Sequence, residues 1–433
     1  MKLLFLTPQP PFPADQGTKL RNRGLIRIAA EAGHEVHLLT FAPSPPSAGE
    51  GQGEGNPAAS PDGAIASAHP ESGTGPQRWC SKIVLVPAPP PRSLPRRAFE
   101  AGLSRLPDLL LRLRSPAYLR ALQQMLAEER YDVVQVEGLE LAINLPAARG
   151  ARVIFDDHNV EYLLQRRAFR THLSQPRRAH AALYSFIQWR RLQRWEARVC
   201  RAADTVLAAS ERDSALLRAL SGRDVVAVPN GIDLDGIPFR QPEAEGGPNL
   251  LFDGTMSFRP NDDAAIWFSR QILPLIRRNR PDVRFWVVGR EPSPELVAFN
   301  FGRNGVAVTG AVPSTEPYWE RAGIYVLPMR IGGGVRFKAL EAMARGLPLV
   351  STTLGMEGTP ARPERDYLSA ERPADFAAAV LRLLDDADLR RNLAASARRT
   401  VAVHDWPRIA PRLLEVYRRP GQIPARAHGG GRE

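Results

Sequence analysis

The chain has 433 residues, 43% hydrophobic and 24% charged, which is the composition of a folded protein and excludes a wholly disordered one. This length exceeds a single ordinary core and suits two α/β domains of about 150 to 200 residues each, with a cleft between them. The net charge of +12 would suit nucleic acid, anionic lipid or a phosphorylated substrate. Only four of the 58 basic residues are lysines, however, so an arginine-biased coding composition explains much of this charge.

Cysteine usage and hydropathy bear on the compartment. Cys80 and Cys200 are the only cysteines, which excludes a disulfide framework and favours a reducing cytoplasm. The first apolar run ends at Pro8 and is too short for a signal peptide. No stretch approaches the roughly 20 apolar residues that span a bilayer. We expect a cytoplasmic protein, soluble or peripheral at the inner face of the plasma membrane.

The first elements predict a βαβ unit. Strands are predicted over 2–7 and 35–41 with a helix over 18–32 between them. The Pro-rich loop before this helix ends at Gly17 and lies at the carboxyl end of a strand, where doubly wound sheets bind ligands. Residues 43–77 contain one large aliphatic side chain and no aromatic one, so a disordered insertion is predicted there.

The pattern resumes after the insertion and completes a first domain over 1–240. Basic helical stretches are predicted over 96–130 and 160–203. Core strands are predicted over 82–89, 132–138, 152–159, 204–210 and 224–233.

A second alternation of strands and helices predicts another parallel sheet in a domain over 241–403. Its strands are predicted over 249–255, 284–289, 306–310, 324–328 and 347–352, with helices near 262–279 and 374–384. A C-terminal helix over 404–420 is predicted to cross back to the first domain. Residues 421–433 are predicted to be a flexible tail.

The segment 324–352 has the strongest chemical signal. It reads as a strand, a loop with Gly332, Gly333 and Gly334, a helix and a second strand. Such glycines let the backbone approach a ligand, and the helix start attracts anions, which favours a phosphate cradle. Lys338 and Glu341 share one helix face, where an ammonium can neutralise a diphosphate and a carboxylate can accept bonds from ribose hydroxyls. The alternative is a plain turn followed by a surface ion pair, although a lysine in so arginine-rich a chain favours the site.

These residues resemble the donor-site signature of retaining GT-B glycosyltransferases of the family 4 (group 1) type. The signature appears here as Leu340 to Val350, and the resemblance extends to GHEV from Gly33, VPNGID from Val228 and the GR pair at Gly289. The GGG-x-R-F-K form of the loop is similar to that of bacterial exopolysaccharide-associated sugar transferases. The resemblance implies a GT-B fold, in which two Rossmann-like doubly wound parallel-sheet domains face a central cleft, with the acceptor on the first and the nucleotide-sugar on the second.

The resemblance also implies roles for individual donor-side residues. Arg336 and Lys338 would bind the diphosphate and stabilise the leaving nucleotide. Glu341 matches the family glutamate that binds ribose, whereas Gly333 stands where the family glutamate that contacts the donor sugar would be. The identity of the sugar and the retaining stereochemistry therefore stay open.

The loop at 252–264 is predicted to border the donor. Gly254 permits a close approach of backbone to ligand and Arg259 adds positive charge. The alternative is an ordinary turn in which Asn261 caps the next helix.

Acceptor-side candidates lie at strand ends of the first domain. His158 is interpreted as an acid–base or phosphate-binding group, with Asp157 beside it. Glu137 would orient an acceptor hydroxyl, or else is a solvated strand end. Asp15 is a candidate acceptor-side base.

Gly17 matches the second of two glycines found in such enzymes, and the resemblance implies that it is a donor-binding residue.

The basic region over 160–203 carries Trp189 and Trp195 among many arginines. It suits an anionic membrane surface, which would fit a lipid-linked acceptor. An amphipathic helix that packs on the sheet with solvated arginines is the alternative.

The sequence thus predicts a hexosyltransferase that moves a sugar from a nucleotide-diphosphate-sugar to a glycan or polyprenyl-linked acceptor in exopolysaccharide or cell-surface polysaccharide biosynthesis. No metal or other cofactor is expected, because positive side chains and the helix start can serve the diphosphate. A nucleotide-sugar epimerase on the same architecture is an alternative. So is a basic nucleic-acid-binding protein, although no nucleic-acid motif is present and no nucleic-acid partner is expected.

Overall fold

The computed structural model describes residues 1–14, 16–43, 66–68, 78–93, 95–96, 99–100, 104–148, 150–173, 179–240, 247–300 and 304–419. The chain forms two compact units, Met1–Pro229 with the chain from Ile409 onward, and Asn230–Arg408. The division falls after Pro229 rather than after residue 240, because the backbone after Pro229 pairs within the second unit. There Ile232 N donates to His404 O at 2.8 Å, and the His404 Nδ1 lies 2.6 Å from Asn230 O.

The first unit is built on an eight-stranded sheet in the order β3-β4-β2-β1-β5-β6-β7-β8. All neighbouring pairs are parallel except β3 with β4. The apolar strands are buried on both faces by helices, as in other parallel sheets. The strands are β1 (Lys2–Thr7), β2 (Glu35–Phe41), β3 (Ala66–Ala68), β4 (Lys82–Val86), β5 (Val133–Glu137), β6 (Arg152–Asp157), β7 (Thr205–Ala208) and β8 (Val225–Ala227).

The helices of the first unit differ from the prediction mainly by being shorter. The stretch predicted over 160–203 is two helices, and the region after β5, not predicted as helical, is a 3₁₀ helix that contains Pro146. The elements are Gly17–Glu31, Asp108–Arg112, Pro116–Glu128, the 3₁₀ segment Leu139–Ala148, Glu161–Leu173, Ala179–Ala202, Glu211–Ser221 and Trp406–Arg418.

Three predicted features fall wholly or partly outside the described residues. These are Asp15, the tail over 421–433 and most of the insertion over 43–77. Within that insertion, residues 66–68 form the short strand β3. The edge of β4 offers unpaired backbone groups, and a short segment of small residues can satisfy them.

The second unit is built on a six-stranded parallel sheet in the order β11-β10-β9-β12-β13-β14. The strands are β9 (Asn249–Asp253), β10 (Arg284–Val288), β11 (Val306–Val308), β12 (Ile324–Leu327), β13 (Leu349–Ser351) and β14 (Leu368–Ser369). The helices are Arg259–Trp267, Leu273–Asn279, Pro294–Val297, Glu316–Arg321, Phe337–Arg345, Pro373–Asp385 and Ala387–Val401, with a 3₁₀ turn at Ala402–His404.

The helix predicted over 262–279 is interrupted. A π-helical segment, Phe268–Ile272, separates Arg259–Trp267 from Leu273–Asn279. Pro274 has no N–H and its ring clashes with the carbonyl one turn earlier, so a wider turn accommodates it.

Each sheet has a point where the strand order reverses, between β1 and β5 in the first unit and between β9 and β12 in the second. Loops that leave the sheet on either side of such a point diverge and open a crevice where α/β proteins bind ligands. The loops after β1, β5, β9 and β12 carry most of the predicted site residues. Within the described part of the chain, no helix has both the length and the apolar character that crossing a bilayer requires.

Candidate functional site

The candidate site of the second unit is centred on the helix Phe337–Arg345, which follows the Gly-rich loop after β12. Arg336 is its N-cap, and Gly346 ends it in the left-handed region with φ +75°. Leu340 and Met343 are fully buried on one face, while Lys338 and Glu341 lie on the face that remains partly accessible. The 3.6-residue period of the apolar side chains therefore fixes the orientation of the functional pair.

Lys338 is held against the loop that follows β9. Its Nζ donates to Asp253 O at 2.5 Å and to Asn261 Oδ1 at 3.1 Å, and it lies 4.5 Å from the centre of the Phe252 ring. Burial, reinforced by the charge of Arg336 and opposed by Asp253, lowers the pKa of Lys338 to about 8. The positive charge of Lys338 is thus poorly balanced by neighbouring groups, which suits the ammonium to an anionic ligand.

Gly254 is required by this packing. Its φ is +140°, and a Cβ there would lie 2.6 Å from Lys338 Nζ and 2.9 Å from Asn261 Nδ2. Gly289 closes the other side, because a Cβ on it would lie 1.8 Å from Gly254 O. The two glycines let the loops after β9 and β10 meet around the ammonium.

Asn261 does not cap its helix, as one alternative had it. Phe258 is the N-cap, and the Asn261 amide joins Lys338 to the loop by donating to Thr255 O at 2.9 Å. Arg259, predicted to border the donor, is exposed at the first helical position.

Glu341 is oriented by Arg345 one turn later. Arg345 Nη2 donates to Glu341 Oε1 at 2.8 Å, and the same guanidinium binds both oxygens of Glu316 and lies 4.9 Å from the Trp319 ring. Glu341 Oε2 accepts no hydrogen bond from the described residues, so it is available to ligand hydroxyls. Burial and the charge of Asp253 raise the pKa of Glu341.

The Gly-rich loop brings Arg336 beside the glycines. Gly332 and Gly334 have φ of +107° and +78°, and a Cβ on Gly332 would lie 2.5 Å from Arg336 Nη2. Gly333 has no positive φ. The structure therefore brings Gly254, Gly332, Arg336, Lys338 and Glu341 to one end of the second sheet.

The candidate site of the first unit is a hydrogen-bonded cluster at the ends of β5 and β6. His158 Nε2 lies 2.8 Å from Glu137 Oε2 and 3.5 Å from Asp156 Oδ2. Burial disfavours the imidazolium, but the bonds and charges of Asp156 and Glu137 outweigh it and raise the pKa of His158 to about 9. At neutral pH the ring is therefore a cation. Its Nδ1 makes no hydrogen bond within the described residues and can donate to a substrate oxygen.

A buried ion pair holds the cluster. Arg21 Nε and Nη2 donate to the two oxygens of Asp156, each at 2.7 Å, and both side chains are buried. Burial alone would raise the pKa of Asp156, but Arg21 and His158 hold it well below its ordinary value. Asn22, with its amide oriented to suit its neighbours, donates to Glu137 Oε2 at 2.8 Å.

Glu137 is not the solvated strand end that one alternative described. It is fully buried, and Gln135 Nε2 donates to its Oε1 at 2.6 Å while His158 and Asn22 occupy its Oε2. Burial and the charge of Asp156 raise the pKa of Glu137 to about 7. The structure places Glu137 beside His158 Nε2, where it orients the ring, and a direct contact of Glu137 with an acceptor hydroxyl stays a prediction.

Asp157 also lies outside the cluster. Side chains alternate along a strand, so Asp157 lies on the face of β6 opposite to Asp156 and is buried beside Glu196. Burial and the charge of Glu196 raise its pKa well above the ordinary value. Its position does not fit the predicted contact with an acceptor. Gly17 is the first residue of its helix, with Gln16 as N-cap.

Among the residues that the structure describes, two groups of side chains have the spacing of metal ligands. Donor atoms of Glu137, Asp156 and His158 lie within 4.8 Å of one another, as do those of Glu35, His37 and Glu129. In the first group Arg21 already occupies both oxygens of Asp156. In the second, Lys2 and Lys82 pair with the glutamates. Both arrangements fit an ion network better than a metal site.

Sequence reasoning missed Arg21, Asn22 and Asp156. The available signal was Arg21 and Asn22 in a helix whose inner face contacts the sheet, since a charged residue in such a position is buried only with a partner.

Comparison with known proteins accounts for most of the chain. A family model described as Glycosyltransferase Family 4 matches residues 21–235, and one described as Glycosyl transferases group 1 matches residues 247–386. An uncharacterised protein of the cps region of Klebsiella pneumoniae is 28% identical over 120 residues, which are 26% of this chain and 30% of that protein. The curated relatives that it matches are covered over only 30% to 54% of their own length.

Solved structures share the fold at low identity. Sucrose-phosphate synthase from Thermosynechococcus elongatus has a TM-score of 0.70 and 19% identity over 96% of this chain and 98% of its own. Anabaena HepE, solved in complex with UDP and glucose, has a TM-score of 0.62 and 13% identity over 96% and 99% of the two chains.

Each unit has a parallel sheet in which the strand order reverses once, and the two family matches fall on the two units in order along the chain. These observations lead to one assignment. The fold is that of the GT-B glycosyltransferases, and the chain belongs to their family 4, group 1 type.

Proposed function

We propose that the protein transfers a hexose from a nucleotide-diphosphate-sugar to a glycan or polyprenyl-linked acceptor, with retention of configuration. The observation that carries the proposal is the poorly compensated ammonium of Lys338, held between the two loops of the second sheet's switch point. A buried cation at this place stabilises a phosphate group and the charge that develops when the nucleotide leaves.

The donor-side residues divide this work. Arg336 and Lys338 bind the diphosphate, and the start of the helix Phe337–Arg345 adds its positive end. Glu341 Oε2 accepts from ribose hydroxyls. The proposal needs no divalent metal or other cofactor, because these groups supply the positive charge.

In the first unit, His158 is the side chain that contacts the reacting groups. As an imidazolium it donates from Nδ1 to an oxygen of the acceptor or of the transferred group, and Glu137 fixes the ring from Nε2. Asp15 stays a prediction for the acceptor side, and Gly17 stays a prediction for donor binding.

A role in exopolysaccharide or cell-surface polysaccharide synthesis is supported by the relative from the Klebsiella cps region. The complex of HepE with UDP and glucose supports a uridine nucleotide as the first donor to test.

Peripheral membrane contact is proposed for the helical hairpin, defined as Glu161–Leu173 and Ala179–Ala202. Its described surface holds eight arginines, and of its two carboxylates Glu196 is fully buried and Glu161 only partly exposed. Leu173 and Leu183, 65% and 62% exposed, flank the end where the two helices join, and Phe186 is 42% exposed. Apolar side chains among cations suit an anionic lipid surface, where a lipid-linked acceptor would lie.

The proposal is tested by thermal shift with UDP-, GDP-, ADP- and TDP-sugars, followed by product analysis with the best donor and polyprenyl-phosphate acceptors. We expect one nucleotide class to raise the melting temperature, and Lys338→Ala to lose that shift and the transfer. Lys82→Ala, which removes a lysine from the first unit, serves as the control and should keep both. No stabilisation by any nucleotide, or unchanged turnover in Lys338→Ala, would refute the donor site, and product formed without an acceptor would favour an epimerase.

A further inference from the structure

The C-terminal helix reaches the His158 cluster through a line of hydrogen bonds. Tyr417 is buried, with 1% of its surface exposed, and its hydroxyl donates to Gln135 Oε1 at 2.8 Å. Gln135 is fully buried, and its Nε2 donates to Glu137 Oε1 at 2.6 Å. Glu137 Oε2 in turn lies 2.8 Å from His158 Nε2. The line runs from a residue near the end of the described chain to the candidate acid–base ring.

The far end of this line is fixed. Arg152, at the start of β6, donates from Nη2 to Val416 O at 2.7 Å and from Nη1 to Tyr417 O at 3.2 Å and Arg419 O at 2.5 Å. The guanidinium thus satisfies backbone carbonyls that the helix end leaves open. Tyr417 is held both by its backbone and by its place in the core.

Because the two ends of an amide differ, the anchoring of Tyr417 affects how the Gln135 side chain is oriented. Gln135 has one end that donates and one that accepts, and only the orientation seen here aims the NH₂ at the carboxylate. The Glu137 carboxylate can only accept, so it selects that orientation, and the Tyr417 hydroxyl, which can donate or accept, fixes it further by donating to Gln135 Oε1. Without the hydroxyl the Gln135 amide loses one of its two anchors, its bond to Glu137 is less firmly held, and the carboxylate loses part of an interaction that favours its charged form.

We propose that Tyr417 and Gln135 are positioning residues for transfer, which hold Glu137 and through it the His158 ring in the reactive orientation. The inference rests on the proposed function of His158. It assigns to the C-terminal helix a part in the reaction beyond packing on the first unit.

Several charged groups surround the ring and set its response. They come from the first helix, β5, the 3₁₀ segment, β6 and the following helix: Arg21, Glu137, Glu140, Asp156 and Glu161. The proposed line acts on only one of them, Glu137. Loss of the Gln135 bond raises the pKa of Glu137, and a protonated Glu137 no longer stabilises the imidazolium, so the pKa of His158 falls.

The test uses the full-length protein and its Tyr417→Phe variant. The titration of His158 is followed by NMR of histidine-labelled protein, with the signal assigned by its absence in His158→Gln. We expect the midpoint to move down by about half to one pH unit, the size of one lost hydrogen bond. With the donor identified by the nucleotide screen, kcat should fall about tenfold while KM for that donor stays unchanged.

Tyr118→Phe is the matched control, because Tyr118 is also fully buried in the first unit and donates to Leu39 O at 2.8 Å. If the midpoint of the His158 titration in Tyr417→Phe is no lower than that in Tyr118→Phe, the claim that the line of hydrogen bonds acts on His158 is overturned. If the His158 midpoint shifts but kcat is unchanged, the role of Tyr417 and Gln135 in transfer is overturned. If Tyr417→Phe fails to fold by circular dichroism, Gln135→Met breaks the same line and is held to the same two outcomes. A wild-type protein that transfers no sugar would refute the proposed function, and the titration would still decide the line.

Discussion

The absence of a side chain at Gly254 makes room for the Lys338 ammonium. The ammonium occupies the space beside Gly254 that any Cβ would take, and its two hydrogen bonds go to the last residue of β9 and to the helix that follows it. A lysine fits there because its charge is compact, whereas a guanidinium is planar and wider. The lysine at this position is therefore explained by geometry as well as charge.

Gly254→Ala should displace the Lys338 ammonium and weaken nucleotide binding by about tenfold or more, the value of one charge-assisted hydrogen bond. Calorimetric titration with UDP measures the loss. Gly310→Ala is the matched control, because Gly310 also has a positive φ, +69°, but no atom lies within 4 Å of its added Cβ. Equal affinities in the two variants would show that backbone strain alone matters.

The affinity for UDP should also depend on pH. The pKa of Lys338 is lowered to about 8, so most of its charge is present at pH 7 and is lost as the pH rises through 8. The apparent Kd should then increase by up to about tenfold per pH unit between pH 8 and pH 10. In Lys338→Arg the charge persists, so whatever affinity remains should not change over this range. A wild-type affinity that is constant to pH 10 would contradict the assignment.

At the scale of elements, the ion pair of Arg21 and Asp156 joins the first helix to β6. Both side chains are buried, and Arg21 Nη1 also donates to Val228 O at 2.8 Å. One residue further along β6 the side chain faces the other way, which places Asp157 beside Glu196. The pKa values of these neighbouring aspartates are therefore shifted in opposite directions, since Arg21 lowers that of Asp156 while burial and Glu196 raise that of Asp157.

Arg21→Met should destabilise the first unit by about 3–5 kcal/mol, because it leaves Asp156 buried without its partner. The double variant Arg21→Met/Asp156→Asn should be less destabilised than the sum of the single ones. Urea unfolding followed by circular dichroism measures both. The exposed pair Arg270–Glu295, with side chains 56% and 55% exposed, is the control and should contribute about 0–1 kcal/mol. Additive effects at Arg21 and Asp156 would contradict a coupled pair.

The elements themselves could largely be predicted, and the side-chain clusters could not. Strands β1 and β2 agree residue for residue with the prediction, since runs of apolar residues between a glycine and a turn leave little choice. The 3₁₀ segment Leu139–Ala148 has an apolar composition without a clear period, so no pattern identified it. For the site, Lys338 and Glu341 followed from helical spacing. Arg21 and Asp156, in contrast, lie far apart in the chain and meet because β5 pairs with both β1 and β6 in the sheet.

At the scale of the whole molecule, the net charge of +12 is unevenly distributed. The helical hairpin concentrates arginines and has one carboxylate fully buried, while many other arginines of the described chain are paired with carboxylates. A cluster of this kind determines association with a charged surface and has little influence on the fold.

Arg190→Ala/Arg194→Ala/Arg198→Ala should weaken binding to phosphatidylcholine vesicles that contain phosphatidylglycerol on the order of a hundredfold, at about 1 kcal/mol per arginine. Co-sedimentation at low and at physiological salt measures the effect. A control with the same loss of charge, Arg372→Ala/Arg382→Ala/Arg391→Ala in the second unit, should bind as the wild type does. If both triple variants lost affinity equally, net charge rather than the hairpin would be responsible.

Sequence alone was enough to predict the α/β class, the two alternations of strands and helices, and the shared helix face of Lys338 and Glu341, because local periodicity and helical spacing are properties of the chain. Tertiary structure alone decided which polar groups are buried together. Glu137 became a support for His158, Asp157 turned away from it, and Tyr417 came within hydrogen-bonding distance of Gln135. These contacts join residues far apart in sequence, and their energies depend on burial and partner geometry, which no local pattern records.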